Sequence, residues 1–160
     1  MAGLDNLDML FVVWAFFFQI VLVVHFALRK RFLNSYTLKA GWFVYALSIP
    51  AVVISIILLL GGKAWSFWLG GFLFLVYAAY GYWVDYARGI QWRNPVRVSI
   101  LFPYVSLYLG TVMLYWWPLG LLNRTLWLVF AALFVVGTIL NVTSHGNRGE
   151  GEQAGGKEFA

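Results

Sequence analysis

Five long apolar runs, each closed by charge, glycine or proline, constrain this chain more than any other feature of its sequence. The first, from Leu7 to Leu28, carries only Asp8, Gln19 and His25 as strongly polar residues. At about 1.5 Å of rise per residue, such a run covers the roughly 30 Å of hydrocarbon in a bilayer. Its flanks do not suit a cleaved signal peptide, because Asp5 and Asp8 precede it and Arg29-Lys30-Arg31 follow. The expectation is a retained first helix with its N-terminus outside.

Local signals divide the rest of the chain. Asn34 or Ser35 can cap a second helix. Pro50, at its midpoint, removes the backbone hydrogen bond to Ala46 and predicts a kink, with Ser48 or a neighbouring helix taking up the freed carbonyl. The turn Gly61-Gly62-Lys63-Ala64 is short, so a third helix returns antiparallel beside the second. Asn94-Pro95 reads as an N-cap and first helical position for a fourth, closed by Pro118 and Gly120, and Asn123 can cap a fifth. The reading is an all-α integral membrane protein, an antiparallel bundle of five transmembrane helices at about 7–28, 40–60, 65–86, 95–117 and 125–142. It forms one domain over residues 1–145, followed by a polar, glycine-rich cytoplasmic tail at 146–160.

Composition agrees with this class. With 62% hydrophobic and 11% charged residues and a mean hydropathy of +0.81, the chain has too few polar side chains to cover a soluble globule. The absence of cysteine from the sequence excludes disulfides and thiolate metal sites. Across five alternating spans, Arg29, Lys30, Arg31, Lys39, Arg88, Arg93, Arg97, Arg148 and Lys157 fall on one side, and only Lys63 and Arg124 on the other. The positive-inside rule then predicts N-out, C-in, in a plasma (inner) membrane. Trp65, Trp68, Trp116, Trp117 and Trp127 would form an outer interfacial belt, with Trp42 and Trp92 at the inner one.

Asp85 is the only acidic residue between Asp8 and Glu150, and it lies near the inner end of the third run. An ionisable group at that depth is costly, and it is normally paired, protonated or in contact with water. Gly71, Phe74, Ala78, Gly81 and Asp85 follow steps of three and four, which places Asp85 on a packed, mostly small-residue seam. His25 and His145 arrive at a similar level, so these three residues form a candidate ligand or proton site with Arg88 or Arg93 as counter-ion. The plainer reading pairs Asp85 with a nearby arginine and leaves both imidazoles in the interface.

Tyr104, Tyr108, Thr111 and Tyr115 repeat along one face of the fourth helix, and Tyr77, Tyr80, Tyr82 and Tyr86 add hydroxyls from the third. Tyr82, Tyr104, Tyr108 and Tyr115 join the candidate site as the wall of a cavity for a hydrophobic ligand; tight packing uses the same residue type. Arg88, Trp92, Arg93 and Arg97 make a basic aromatic loop. Such a loop sets orientation, attracts anionic lipid at about 1 kcal/mol per cation, or contacts a phosphate-bearing ligand. Gln19 calls for an interhelical partner or a contact with a second copy.

Reaction chemistry is not visible. Two histidines, no cysteine and one carboxylate within the bundle do not assemble a common zinc site or a paired-carboxylate site. No motif implies a cofactor, a metal or nucleic acid. The expectation is a non-catalytic membrane protein whose partners are the lipid bilayer and a protein partner or second copy. It would act as an accessory subunit of a membrane complex or as a binder of a lipid-like ligand. The alternative is an oligomeric channel or proton-coupled transporter using Asp85.

Overall fold

The computed structural model describes residues 4–31, 41–88 and 97–146. Within them every regular element is helical, and five segments are long and apolar enough to cross a membrane: Asn6–Arg31, Trp42–Leu60, Trp65–Ala87, Val98–Leu122 and Arg124–Thr143. The first is α1 (Asn6–Arg31). The second is two pieces, α2 (Trp42–Ala46) and α3 (Ser48–Leu60), separated by a turn at Leu47. The third is α4 (Trp65–Tyr82), continued by a π-helical turn over Trp83–Ala87. Then follow α5 (Val98–Leu122) and α6 (Arg124–Gly146).

The ends of these helices are set by local chemistry. Asp5 and Asp8 bond reciprocally across the start of α1, Asp8 N–H to Asp5 Oδ1 at 2.7 Å and Asp5 N–H to Asp8 Oδ2 at 3.3 Å, in the manner of a capping box. Lys63 Nζ binds both carboxylates, at 2.7 and 2.6 Å, and so ties the start of α1 to the turn after α3. That turn is a Schellman closure, with Lys63 N–H donating to Leu58 O and Gly62 N–H to Leu59 O. Gly62 takes the left-handed φ of 74° that the motif requires. Asn123 caps α6 as its position predicted, its Oδ1 accepting from Thr125 N–H at 2.7 Å.

Two proline expectations are corrected. Pro50 does not simply kink one helix: the span breaks at Leu47, and Ser48 Oγ donates to Tyr45 O at 2.7 Å rather than to Ala46. Pro118 does not close the fourth helix, which continues to Leu122. A mid-helix proline costs about 3 kcal/mol locally. Here tertiary packing outweighs that cost. Pro118 and Leu119 are buried, and the adjacent Trp116 stacks on Trp127 at 4.8 Å while donating to its carbonyl at 3.0 Å. The proposed cap Asn94-Pro95 lies outside the described residues, as do Trp92, Arg93 and the tail from 147 onward.

The core lies between α1, α4 and α5. Phe18 packs edge-on to Phe74 at 4.8 Å and tilted against Tyr115 at 5.0 Å, with Phe11, Leu22, Leu119 and Phe130 around them. Close approach depends on small residues. Gly71 lies against Ala51 and Ser55 of α3, and Gly70 lies under the Tyr115 ring, where a Cβ would stand 3.3 Å away. The helix seam read from spacing is present, with Gly71, Phe74, Ala78 and Gly81 all buried. The outward faces keep large apolar side chains such as Ile49, Leu60, Phe102, Trp117, Leu121 and Val142 exposed, as a lipid-facing surface requires.

Candidate functional site

Asp85 sits on the π-helical turn, half-buried, and receives a hydrogen bond from the hydroxyl of Tyr45 on α2 at 2.7 Å. The Tyr45 hydroxyl is also 2.9 Å from that of Tyr104 on α5, and Tyr77 on α4 donates to Tyr104 at 3.1 Å. A phenol has one proton to give. Since Tyr45 gives its proton to Asp85, the bond between Tyr104 and Tyr45 is donated by Tyr104. The hydroxyls therefore run in one sense, Tyr77 to Tyr104 to Tyr45 to Asp85, so that each dipole reinforces the next and the chain ends on the carboxylate.

Two of the three elements depart from regular helix at this level, and the third carries a proline there. The span carrying Tyr45 breaks at Leu47, the helix carrying Asp85 widens into a π turn, and α5 carries Pro103 beside Tyr104. The π turn is closed by Arg88 N–H donating to Trp83 O at 2.9 Å. Such turns re-aim a side chain relative to a regular helix and recur at functional sites. Gly81, one turn before Asp85, leaves the space that the Tyr45 ring occupies. The rings of Tyr77 and Tyr86 flank that of Tyr45, each with its centroid 6.1 Å away.

A second feature adjoins this cluster. Ile20, Val21, Val24, His25 and Leu28 of α1, with Phe43 and Val44 of α2, line an open apolar groove of about 370 Å³. The α1 residues form one stripe at helical spacing, and Arg31 continues it one turn beyond Leu28. Among the described residues of the lining, His25 is the only ionisable group, with its ring edge-on to Phe26 at 5.5 Å. Arg29 lies over the Phe26 ring and donates to Asn141 of α6, fixing the C-terminal ends of α1 and α6 together.

The residues singled out from sequence are thus distributed over several surroundings. Asp85 and Tyr104 meet through Tyr45, whereas His25 lies on the groove. His145 is in the last turn of α6, and its side chain lies outside the described residues. Tyr108 packs against Phe26 and Tyr77, at 6.2 and 6.0 Å. Tyr115 is buried and accepts a hydrogen bond from Trp14 Nε1 at 3.0 Å, in the core. Tyr82 is exposed and stacked on Tyr86 at 5.6 Å. Arg88 covers the Trp83 ring at 5.7 Å, and Arg97 stands at the N-cap of α5. Gln19 is fully buried, and neither of its amide atoms has a hydrogen-bond partner among the described residues.

Tyr45 is the member of this hydroxyl cluster that spacing alone did not single out. Its signals were the nearby Pro50, which disturbs the helix around it, and Gly81, a small residue on the seam leading to Asp85. Among the described residues no cluster of three histidines or carboxylates is placed to hold a metal. Comparison of the chain with known protein families, curated proteins and solved structures finds no match.

Proposed function

We propose that this is a non-catalytic integral membrane protein that holds an anionic amphiphile in the groove between α1 and α2. The observation that carries the reading is the form of that groove. It is an open apolar slot along a membrane-spanning stripe, with His25 the only ionisable residue among its described lining and Arg29-Lys30-Arg31 following at its end. The slot suits an acyl chain, and the cations suit a phosphate or carboxylate headgroup, each contributing about 1 kcal/mol near an anionic surface. The asymmetry of basic residues supports N-out, C-in threading, which puts those cations and the anionic headgroup in the cytoplasmic leaflet. Binding of this kind suits an accessory subunit of a membrane complex.

Native mass spectrometry of the protein released from vesicles of mixed phosphatidylcholine and phosphatidylglycerol tests this reading. The expected result is one retained phosphatidylglycerol, lost in Val24→Trp, which fills the slot. A spectrum without adduct, or an adduct indifferent to Val24→Trp, would sink the proposal.

A second reading has its own observation, the unidirectional hydroxyl chain ending on Asp85. In a proton-coupled transporter, protonation of the carboxylate would let the chain reverse its sense and pass a proton between helices. Proton flux into proteoliposomes that disappears in Asp85→Asn favours it, and flux equal to that of protein-free vesicles rules it out.

A further inference from the structure

We propose that α2 is a movable wall of the groove, latched in place by the hydrogen bond from Tyr45 to Asp85. The proposal rests on the lipid-binding reading for its purpose, while its mechanics stand on geometry alone. Consecutive residues of α2 serve two sites. Phe43 and Val44 form the groove wall, and Tyr45, about 100° further round the helix, reaches into the hydroxyl chain. A helix of five residues has almost no stability of its own, so its position is dictated by what its side chains hold.

The joint at Leu47 is weakly bonded. The backbone bonds across it, Leu47 N–H to Phe43 O and Ala51 N–H to Leu47 O, are long, at 3.3 and 3.2 Å. Pro50 offers no N–H to the carbonyl of Ala46. Ser48 Oγ donates instead to Tyr45 O and finishes α2 as a separate turn. The receiving side is shaped for the latch, because Gly81 leaves room for the Tyr45 ring and the π turn presents the Asp85 carboxylate to its hydroxyl. Pivot, latch and groove wall thus lie on one short element. Releasing Tyr45 lets α2 swing about Leu47 and widens the slot beside the α1 stripe between Val24 and Leu28.

The natural sequence has no cysteine, so nitroxides on Lys30→Cys and Trp42→Cys report the distance between α1 and α2 without background labelling. In nanodiscs the parent is expected to give a narrow distance distribution. Tyr45→Phe, which keeps the ring and removes the hydroxyl, should give a longer and broader one. Asp85→Asn keeps an accepting oxygen and should shift less, and Thr138→Ala, a hydroxyl lost elsewhere on the bundle, should change nothing. A Tyr45→Phe distribution that superimposes on the parent's would overturn the latch.

Without labels, release of phosphatidylglycerol after dilution into neutral nanodiscs is expected to be ~10-fold faster in Tyr45→Phe, the effect of losing one hydrogen bond. Equal release together with equal distances removes the latch and leaves the binding site. The expected distance changes in a protein that never retains the lipid would instead remove the binding reading and leave the latch.

Discussion

Gly81 lies directly beneath the ring of Tyr45: a Cβ at Gly81 would stand 2.6 Å from Tyr45 Cε1 and 2.9 Å from its hydroxyl oxygen. The absence of one methyl group on α4 is therefore a condition for the bond between Tyr45 and Asp85. Gly81→Ala must displace the ring or the helix, at the roughly 1–3 kcal/mol typical of overpacking. A double-mutant cycle isolates the cause. In a Tyr45→Ala background the methyl group has room, and alanine's better helix propensity makes Gly81→Ala neutral or slightly stabilising. Unfolding titrations in mixed micelles measure all four corners. A destabilisation by Gly81→Ala that is the same in both backgrounds would place the clash elsewhere.

Gln19 is a fully buried amide in the core, with neither atom bonded among the described residues. Its nitrogen would lie 3.4 Å from a Cβ on Gly137 of α6, so it faces a helix surface of the bundle rather than lipid. An unsatisfied buried polar group costs about 1–3 kcal/mol, and a similar apolar side chain removes that cost. Gln19→Met is therefore expected to stabilise the fold by that amount in the same unfolding assay. A loss of stability would show that the amide is hydrogen-bonded, contrary to this account.

Much of the architecture was legible because hydropathy and end signals act locally. Asn123, Gly62 and the apolar run after Asp8 behave as their neighbours dictate. Features governed by distant contacts were not legible. The continuation through Pro118 depends on Trp116 meeting Trp127, and the π turn depends on where Asp85 finds its donor, neither of which has a period in the sequence. Asp85 itself stood out as the lone acidic residue between Asp8 and Glu150. Its partner did not, because Tyr45 is one aromatic residue in an aromatic-rich run and meets Asp85 across 40 positions.

The tie joins Asp5 and Lys63, which lie outside the membrane-spanning segments, to Asp8 in the first turn of α1, and it carries a pH signature. The hydrogen bond from Lys63 holds the Asp5 carboxyl below its ordinary 3.8. Burial pulls the Lys63 ammonium down, but its bonds to Asp5 and Asp8 outweigh this and leave it above 10.5. A lowered carboxyl contributes stability that is present above its unfolded value and lost as pH falls through its folded one; a raised ammonium contributes stability lost as pH rises through its folded value. The stabilisation should be flat through the neutral range, fading below about pH 3.8 and above about pH 10.5. Melting temperatures of the parent and Lys63→Met are expected to differ by a constant amount at neutral pH and to converge in acid. A difference that persists unchanged at pH 2 would assign the effect of Lys63 to its contact with the Phe67 ring instead.

Tyr115 and Tyr45 show how one residue type serves two ends in this bundle. Tyr115, 2% exposed, accepts from Trp14 Nε1 and packs on Phe11 and Phe18, whereas Tyr45 gives its proton to a carboxylate. Tyr115→Phe leaves the buried indole N–H without this acceptor, so it should cost about 1–3 kcal/mol of stability. It should leave the distance between α1 and α2 unchanged, because no part of α2 touches that bond. Tyr45→Phe should do the reverse, with a modest loss of stability and a large change in that distance. If both variants lose stability alike and neither moves α2, the tyrosines of this protein serve only to pack it.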